Sequence, residues 1–341
     1  MMFGSKTMQR SITVTALLAL VSLLAAASVM AAVTYVAKDR VTAYTVPASA
    51  AKATDRMTGG TSQIVWVEKD KSGAQQVMWL NVKTGKKMAV SVGSAAKSSP
   101  KASDSYIAWL DKGSYAADSV LWDVKAYDIK ANKVILLNSA VGPFTNISIS
   151  GRHIVWSRTD TNEMYLYNFD DPWDYMFGLG RFPVVGSGKI VYKDEFGESL
   201  SIYDVASDKS STLYTPSKGK YVNWFVFNGT TVLWKQRESG NNNSGYVMLP
   251  VKSGAKARAL TDPSVKKTES SIMFIGATRG AWAENMNGKL VMRGVNLSTG
   301  EVYTIGNIGA GKTYLGFNGD DIVLQDSAKG TISLRTMARK G

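Results

Sequence analysis

Short apolar runs closed by polar turns recur along this chain. Ile64-Val65-Trp66 returns as Ile107-Ala108-Trp109, Ile154-Val155-Trp156, Ile190-Val191-Tyr192, Val232-Leu233-Trp234, Gly280-Ala281-Trp282 and Ile322-Val323-Leu324. Copies lie about 36 to 48 residues apart, which marks a structural repeat. The runs are rich in β-branched and aromatic residues, and beyond the leader no stretch holds a helical period, so strands are predicted throughout. A second element follows most copies: NVKTGK at 81–86, DIKANK at 128–133, DVASDK at 204–209, PVKSGAK at 250–256 and NLSTGE at 296–301. There a strand ends in a two-residue turn, with Gly, Asn or Asp supplying the positive φ. The third copy departs, running from MYLYNF into DDPWDY. Ahead of the copies lie further runs closed by small residues, such as FTNISISG at 144–151 and WFVFNG at 224–229. Each unit therefore reads as four strands, with the IVW element as the second.

Four-stranded units of this length are blades of a β-propeller. An inner strand packed between neighbouring sheets is buried on both faces, which explains apolar runs without polar alternation. The last unit stops before a fourth strand, while residues near 34–46 read as a strand belonging to no complete unit. The prediction is an all-β, seven-bladed propeller of four-stranded antiparallel blades, the last blade closed by that N-terminal strand. Six or eight blades is the alternative, because the copies at 280–282 and 322–324 are degenerate.

Units such as SQIVWVEKDKSGAQQVMWLNVKTGKK resemble the WD40-like repeats of TolB-type propellers. In that pattern a G-x-x-I-x-[FW] strand leads through a polar turn to a strand ending L-x-[DN]-[VL], then to a TG-[KE] turn. The likeness covers roughly residues 54–337. It implies the propeller fold. The family includes scaffold and envelope-interaction proteins, and related propellers form noncatalytic domains of peptidases. Neither the Gly-His nor the Trp-Asp signature of true WD40 repeats recurs.

Charge and the chain's start add a location. MMFGSKTMQR carries Lys6 and Arg10 and no acid, and residues 11–37 carry no charge. A basic head before an apolar run is an export signal. Val29 and Ala31 fit a small-residue cleavage rule, giving a cut after Ala31; uncut, the run is long enough to span a bilayer. The organisation read is residues 1–31 as export signal or membrane anchor and 32–341 as one propeller domain, exported to the periplasm, the surface or the medium. The formal net charge of +13 suits an anionic partner, but export argues against nucleic acid. A membrane contact is expected only through an uncleaved N-terminal segment. The chain has no cysteine, which removes disulfides, thiolate catalysis and Cys-ligated zinc. One histidine, His153, leaves no room for a His-rich metal centre. No metal and no cofactor is expected.

Two groups of residues are candidates for chemistry. Two positions after each IVW aromatic stand Glu68, Asp111, Arg158, Asp194, Gln236, Glu284 and Asp326. The five acids could form a ring at one mouth of the propeller that holds a cation. Against this, each could instead satisfy backbone N–H groups in its own turn. FDDPWDYMFGLGRF at 169–182 sets Trp173 and Tyr175 beside Asp171 and Asp174. Aromatics next to acids can stack on a sugar or hold a peptide; otherwise the stretch is a short turn and an apolar outer strand. No catalytic residue stands out.

These readings favour a binding or scaffold propeller whose partner is a protein or an anionic envelope polymer. A propeller hydrolase or lyase using the carboxylates, and a structural surface protein, are the alternatives. The lysines at the turns, Lys83, Lys86, Lys87, Lys130, Lys133, Lys209, Lys252 and Lys256, guard sheet edges or form a basic rim.

Overall fold

The computed structural model describes residues 33–45, 58–59, 62–240, 244–261, 272–286, 289–307, 312–318, 321–326 and 331–339. Residues 1–31, the segment expected to be an export signal or membrane anchor, lie outside them. Among the described residues there is no helix long and apolar enough to cross a membrane. Every regular element among the described residues is a strand.

Strand β1 spans Val33–Thr45. The first repeat contains β2 (Thr58–Gly59), β3 (Gln63–Lys69), β4 (Gln75–Asn81) and β5 (Lys87–Ala89). The second contains β6 (Lys97–Ala102), β7 (Tyr106–Asp111), β8 (Trp122–Asp128) and β9 (Lys133–Val141). The third contains β10 (Phe144–Ser150), β11 (His153–Arg158), β12 (Glu163–Asn168) and β13 (Asp171–Leu179). The fourth contains β14 (Arg181–Gly186), β15 (Lys189–Lys193), β16 (Leu200–Asp204) and β17 (Lys209–Tyr214). The fifth contains β18 (Lys220–Phe227), β19 (Thr231–Glu238), β20 (Ser244–Pro250) and β21 (Arg258–Ala259). Then come β22 (Met273–Ile275), β23 (Arg279–Met286), β24 (Lys289–Asn296) and β25 (Val302–Asn307), and finally β26 (Lys312–Asn318), β27 (Asp321–Asp326) and β28 (Thr331–Arg339).

The fold is an all-β propeller, but its sheets correct the expected arrangement. Backbone hydrogen bonds join the described strands into six sheets, not seven separate blades. Five have four strands, in chain order. The sixth has eight, in the order β22-β23-β24-β25-β1-β28-β27-β26. β1 pairs antiparallel with β28, Tyr35 opposite Arg339 and Thr45 opposite Thr331. Its other edge is taken by β25. A strand has two ladder edges, and here both are used, so β1 lies inside a fused sheet. It is not the outer strand of a separate closed seventh blade. The inner strands meet by packing: β2 touches β6, then contact passes through β10, β14, β18, β22 and β26 and returns to β2.

The core sits between sheets. Trp66, Trp109, Trp156, Trp234 and Trp282 are fully buried. Four of them belong to clusters that span two neighbouring repeats: Trp109 lies with Val65, Val67 and Val77, Trp156 with Ala108, Val124 and Ala126, Trp234 with Val191 and Leu200, and Trp282 with Leu233 and Tyr246. The apolar recurrence in the sequence is thus the inter-sheet seam.

The turn between third and fourth strands is longer than the two residues expected. Asn81 N donates to Lys86 O at 2.9 Å, which leaves residues 82–85 in the loop. Asn81 Oδ1 accepts from Lys83 N at 2.9 Å and Thr84 N at 3.1 Å. Asp128, Asp204 and Asn296 make the same pair of bonds in their own turns. The left-handed residue is Gly85 or Gly300, or Asn132 or Asp208, the types that tolerate positive φ.

One recurrent feature had no signal in the repeat pattern. The register between the first two strands slips at Ser98/Lys101, Phe144/Ile147, Arg181/Val184, Val222/Trp224 and Tyr314/Gly316. A bulge bends the innermost strand and increases its twist, which suits a strand lining a ring. Ser99 and Phe182 occupy two of these slips at φ 54° and 56°.

Candidate functional site

The strand geometry puts each post-aromatic residue near the end of the second strand, and four of the five carboxylates have a partner within their own repeat. Glu68 accepts the indole N–H of Trp66 at 2.9 Å and lies 3.9 Å from Lys87 Nζ. Asp111 accepts the indole N–H of Trp109 at 3.2 Å. Glu284 accepts that of Trp282 at 3.4 Å. Asp194 follows Tyr192 instead of Trp, and accepts Glu198 N and Ser199 N in its own turn at 2.8 and 3.1 Å. Asp326 ends β27, opposite Lys312 and Thr331. Among the described residues, no three His, Asp or Glu side chains lie together in a set that could hold a metal ion.

The exceptions explain the pattern. Arg158 and Gln236 stand where the acid is missing, and the buried Nε1 atoms of Trp156 and Trp234 have no hydrogen-bond partner in the protein. Arg158 is bonded to Asp160 instead, at 3.0 and 2.7 Å. Gln236 accepts from Tyr214 Oη at 2.9 Å. The acid two residues on therefore matches the indole: where Trp and carboxylate occur together, the buried donor is satisfied.

Asp111 also belongs to a charge cluster the sequence did not announce. Lys97 has a fully buried side chain, 3.9 Å from Asp111, and donates to the carbonyls of Gly93 and Ala95 at 3.1 and 2.8 Å. Lys125 lies 3.2 Å from Asp111 and 3.6 Å from Asp123. Burial pushes the Lys97 ammonium below the ordinary lysine range, and Asp111 partly opposes this. The sequence does not single out Lys97; only the fold reveals its depth.

The aromatic stretch becomes β13, the outermost strand of its sheet. Trp173 is 76% exposed, and Tyr175, Met176 and Leu179 are exposed beside it. Asp171 is exposed as well. Asp174 accepts from Asn138 Nδ2 of β9, which ties the two outer strands together. Phe177 turns inward, with its ring 4.9 Å from Tyr203 and 6.2 Å from Tyr192. Tyr175 Oη lies 3.4 Å from Tyr203 Oη, which in turn donates to Asp208 at 2.7 Å. Burial, followed by these bonds, pushes the Tyr203 phenol up. The structure therefore brings Trp173 and Tyr175 onto one exposed surface, and commits Asp174 to a structural bond.

A third feature lies at the centre, where the first and second strands turn. A cavity of about 310 Å³ opens there. The ends of the inner strands converge on it and are tied together across sheets. Ser62 Oγ donates to Asp104 at 3.2 Å, Ser103 Oγ to Gly151 O at 3.0 Å, and Asn228 Nδ2 to Gly276 O at 2.7 Å. A Cβ at Gly186 would lie 2.4 Å from Gly229 N, so only glycine lets these two strand ends meet. His153 sits at the start of β11 with its pKa lowered by burial, against the pull of Asp170.

No family model matches this chain, and no curated protein matches it. Solved structures do. An oligogalacturonate lyase in complex with manganese is 9% identical, TM-score 0.59, over 89% of this chain and 96% of that one. The β-propeller domain of the Trilobed protease from Pyrococcus furiosus is 11% identical, TM-score 0.57, over 84% and 93%. TolB from Acinetobacter baumannii is 11% identical, TM-score 0.47, over 81% and 64%. At these identities the likeness is to the propeller fold, here that of a lyase and of a protease domain, and it singles out no one family.

Proposed function

We propose that this chain is an exported binding propeller that docks an extended segment of a partner protein along β13. The observation that carries this is the exposed row of Trp173, Tyr175, Met176 and Leu179 on a sheet edge. Large aromatics are what interfaces bury at their centres. An edge strand offers unpaired N–H and C=O groups to an incoming strand. Natural edges are normally blunted by charge or by Pro, and here only Pro172 and the acids at the start of the strand do so. Export follows from the basic head and apolar run of residues 1–31.

A photo-crosslinking amino acid placed at Trp173, and separately at Ser211 on β17, tests this in intact cells of the source organism. The reading expects a discrete protein adduct from position 173 and none from 211. Equal labelling from both positions, or none from 173, overturns it.

A second reading has one specific observation behind it. Lys83, Lys130, Lys133, Lys209, Lys252 and Lys256 are all exposed at corresponding turns, on the same end of their sheets. Such a rim would hold an anionic envelope polymer, and retention that vanishes as salt rises would mark it. The hydrolase or lyase reading would need converging carboxylates, whereas Glu68, Asp111, Asp194 and Glu284 each have a local partner.

A further inference from the structure

We propose that Arg181, Phe182, Lys193 and Trp224 form a binding site for a small aromatic carboxylate. The site is separate from β13. It lies where the innermost strands of the fourth and fifth repeats begin, at the opposite end of those strands from the central cavity. Arg181 and Lys193 are direct partners across the β14–β15 ladder. Lys193 Nζ crosses to the next repeat, donates to Asn223 O at 3.1 Å and lies 5.9 Å from the centre of the Phe182 ring. Phe182 in turn meets Trp224 edge to face, with ring centres 5.8 Å apart. Phe182 lies within one register slip and Trp224 borders another, and bulges of this kind re-aim side chains. Phe182 also adopts φ 56°, which a bulky residue rarely does. Backbone held in that region is fixed by its surroundings, and such positions cluster at ligand clamps.

The polar groups of these four side chains are all donors. Arg181 is exposed and spends Nε on Asn162 Oδ1 at 2.9 Å. Among the described residues its terminal nitrogens, the Trp224 indole N–H and the remaining Lys193 hydrogens have no hydrogen-bond partner. Burial, then the like charge of Arg181, hold the Lys193 ammonium below the ordinary lysine range. Asp194 opposes them less strongly, and it accepts from Glu198 N and Ser199 N in its own turn. The local balance at Lys193 is therefore repulsion between cations, which an anion relieves. Donors without acceptors call for a ligand that accepts, and the two terminal nitrogens of Arg181 present a fork to the two oxygens of a carboxylate. Trp224 is 40% exposed and offers a ring for stacking. A carboxylate carried on an aromatic ring uses both features. An aliphatic acid leaves the indole unused, and an ammonium is repelled.

Calorimetric titration of the full chain with 2-naphthoate, 2-naphthalenemethanol and butanoate tests this. Saturable binding of naphthoate is expected, at least about tenfold tighter than that of the neutral alcohol, as a bond to a charged group requires. Butanoate should bind more weakly than naphthoate, because it has no ring to set against Trp224. Arg181→Gln should weaken naphthoate by at least about tenfold. That side chain is exposed, so the variant should keep the parent's melting temperature. Trp224→Ala should weaken naphthoate by about two- to tenfold, the range of an aromatic pair. Absence of naphthoate binding, equal binding of the alcohol or of butanoate, or full affinity in the folded Arg181→Gln variant overturns the proposal.

Discussion

β13 and β17 occupy the same place in adjacent sheets: each is the fourth, outermost strand, paired on one side only. β17 is the polar stretch KSSTLY, exposed along its first four residues. β13 is nine residues long and exposes Trp173, Tyr175, Met176 and Leu179. The fold therefore does not require an apolar outer strand, since β17 closes its sheet with lysine and serines. The inward side of β13 does serve the fold, through Phe177 against Tyr192 and Tyr203. Trp173, 76% exposed, has no such inward partner among the described residues, which is why it leads the functional reading.

Mutations sharpen this contrast in order of size. Trp156→Ala, in the buried seam of the sheet that ends in β13, should lower stability by about 3–5 kcal/mol. Trp173→Ala, of the same chemistry but exposed, should change it by no more than about 0.5 kcal/mol. Denaturant unfolding of the two variants checks the pair, and similar losses would mean that β13's outer face is structural. Phe177→Ala should fall between them, at about 1–3 kcal/mol, because its ring is only partly buried.

Glu68→Ala tests the indole bond, and should cost about 1–3 kcal/mol by leaving the buried Trp66 N–H unpaired. Replacing Glu68 with Gln should recover much of that loss, since an amide oxygen still accepts. If Glu68 instead belonged to an ion site, its removal would leave unfolding stability unchanged in chelator-treated protein.

The smallest effect concerns pH. His153 has a folded pKa below its ordinary 6.5, because burial disfavours the imidazolium. Above that value both states are neutral and His153 contributes no pH dependence. As pH falls through 6.5, the unfolded chain takes up the proton first and stability declines, until the folded histidine titrates too. His153→Gln should flatten this decline in melting temperature between about pH 6.5 and 5. An unchanged slope would remove the buried-imidazole account.

The repeat was legible because the inter-sheet seam needs the same apolar triplet each time. Strand identity, the Asn/Asp-headed turns and the position of the acids followed from that. The fusion of the last repeats was not legible: a sequence such as VTYVAKDRVTAYT says strand, but not which two edges it will meet. Nor was the meaning of the acids. An acid also stands two residues after Tyr192 and Leu324, and none after Trp156 and Trp234, so the spacing alone does not show that Glu68, Asp111 and Glu284 accept an indole N–H. Lys97 gave no signal, because burial of this strand lysine depends on how its neighbours fold around it. Trp173 and Tyr175 were singled out by composition, but only the strand order shows that they face outward.

The most direct measurement carries the crosslinker at Leu179, exposed at the end of the same strand, in parent and in a Trp173→Ser, Tyr175→Ser double variant. A protein adduct in the parent that disappears in the double variant, with the variant still cooperatively folded, is the predicted result. An adduct that persists in the double variant would show that these aromatics do not hold a partner.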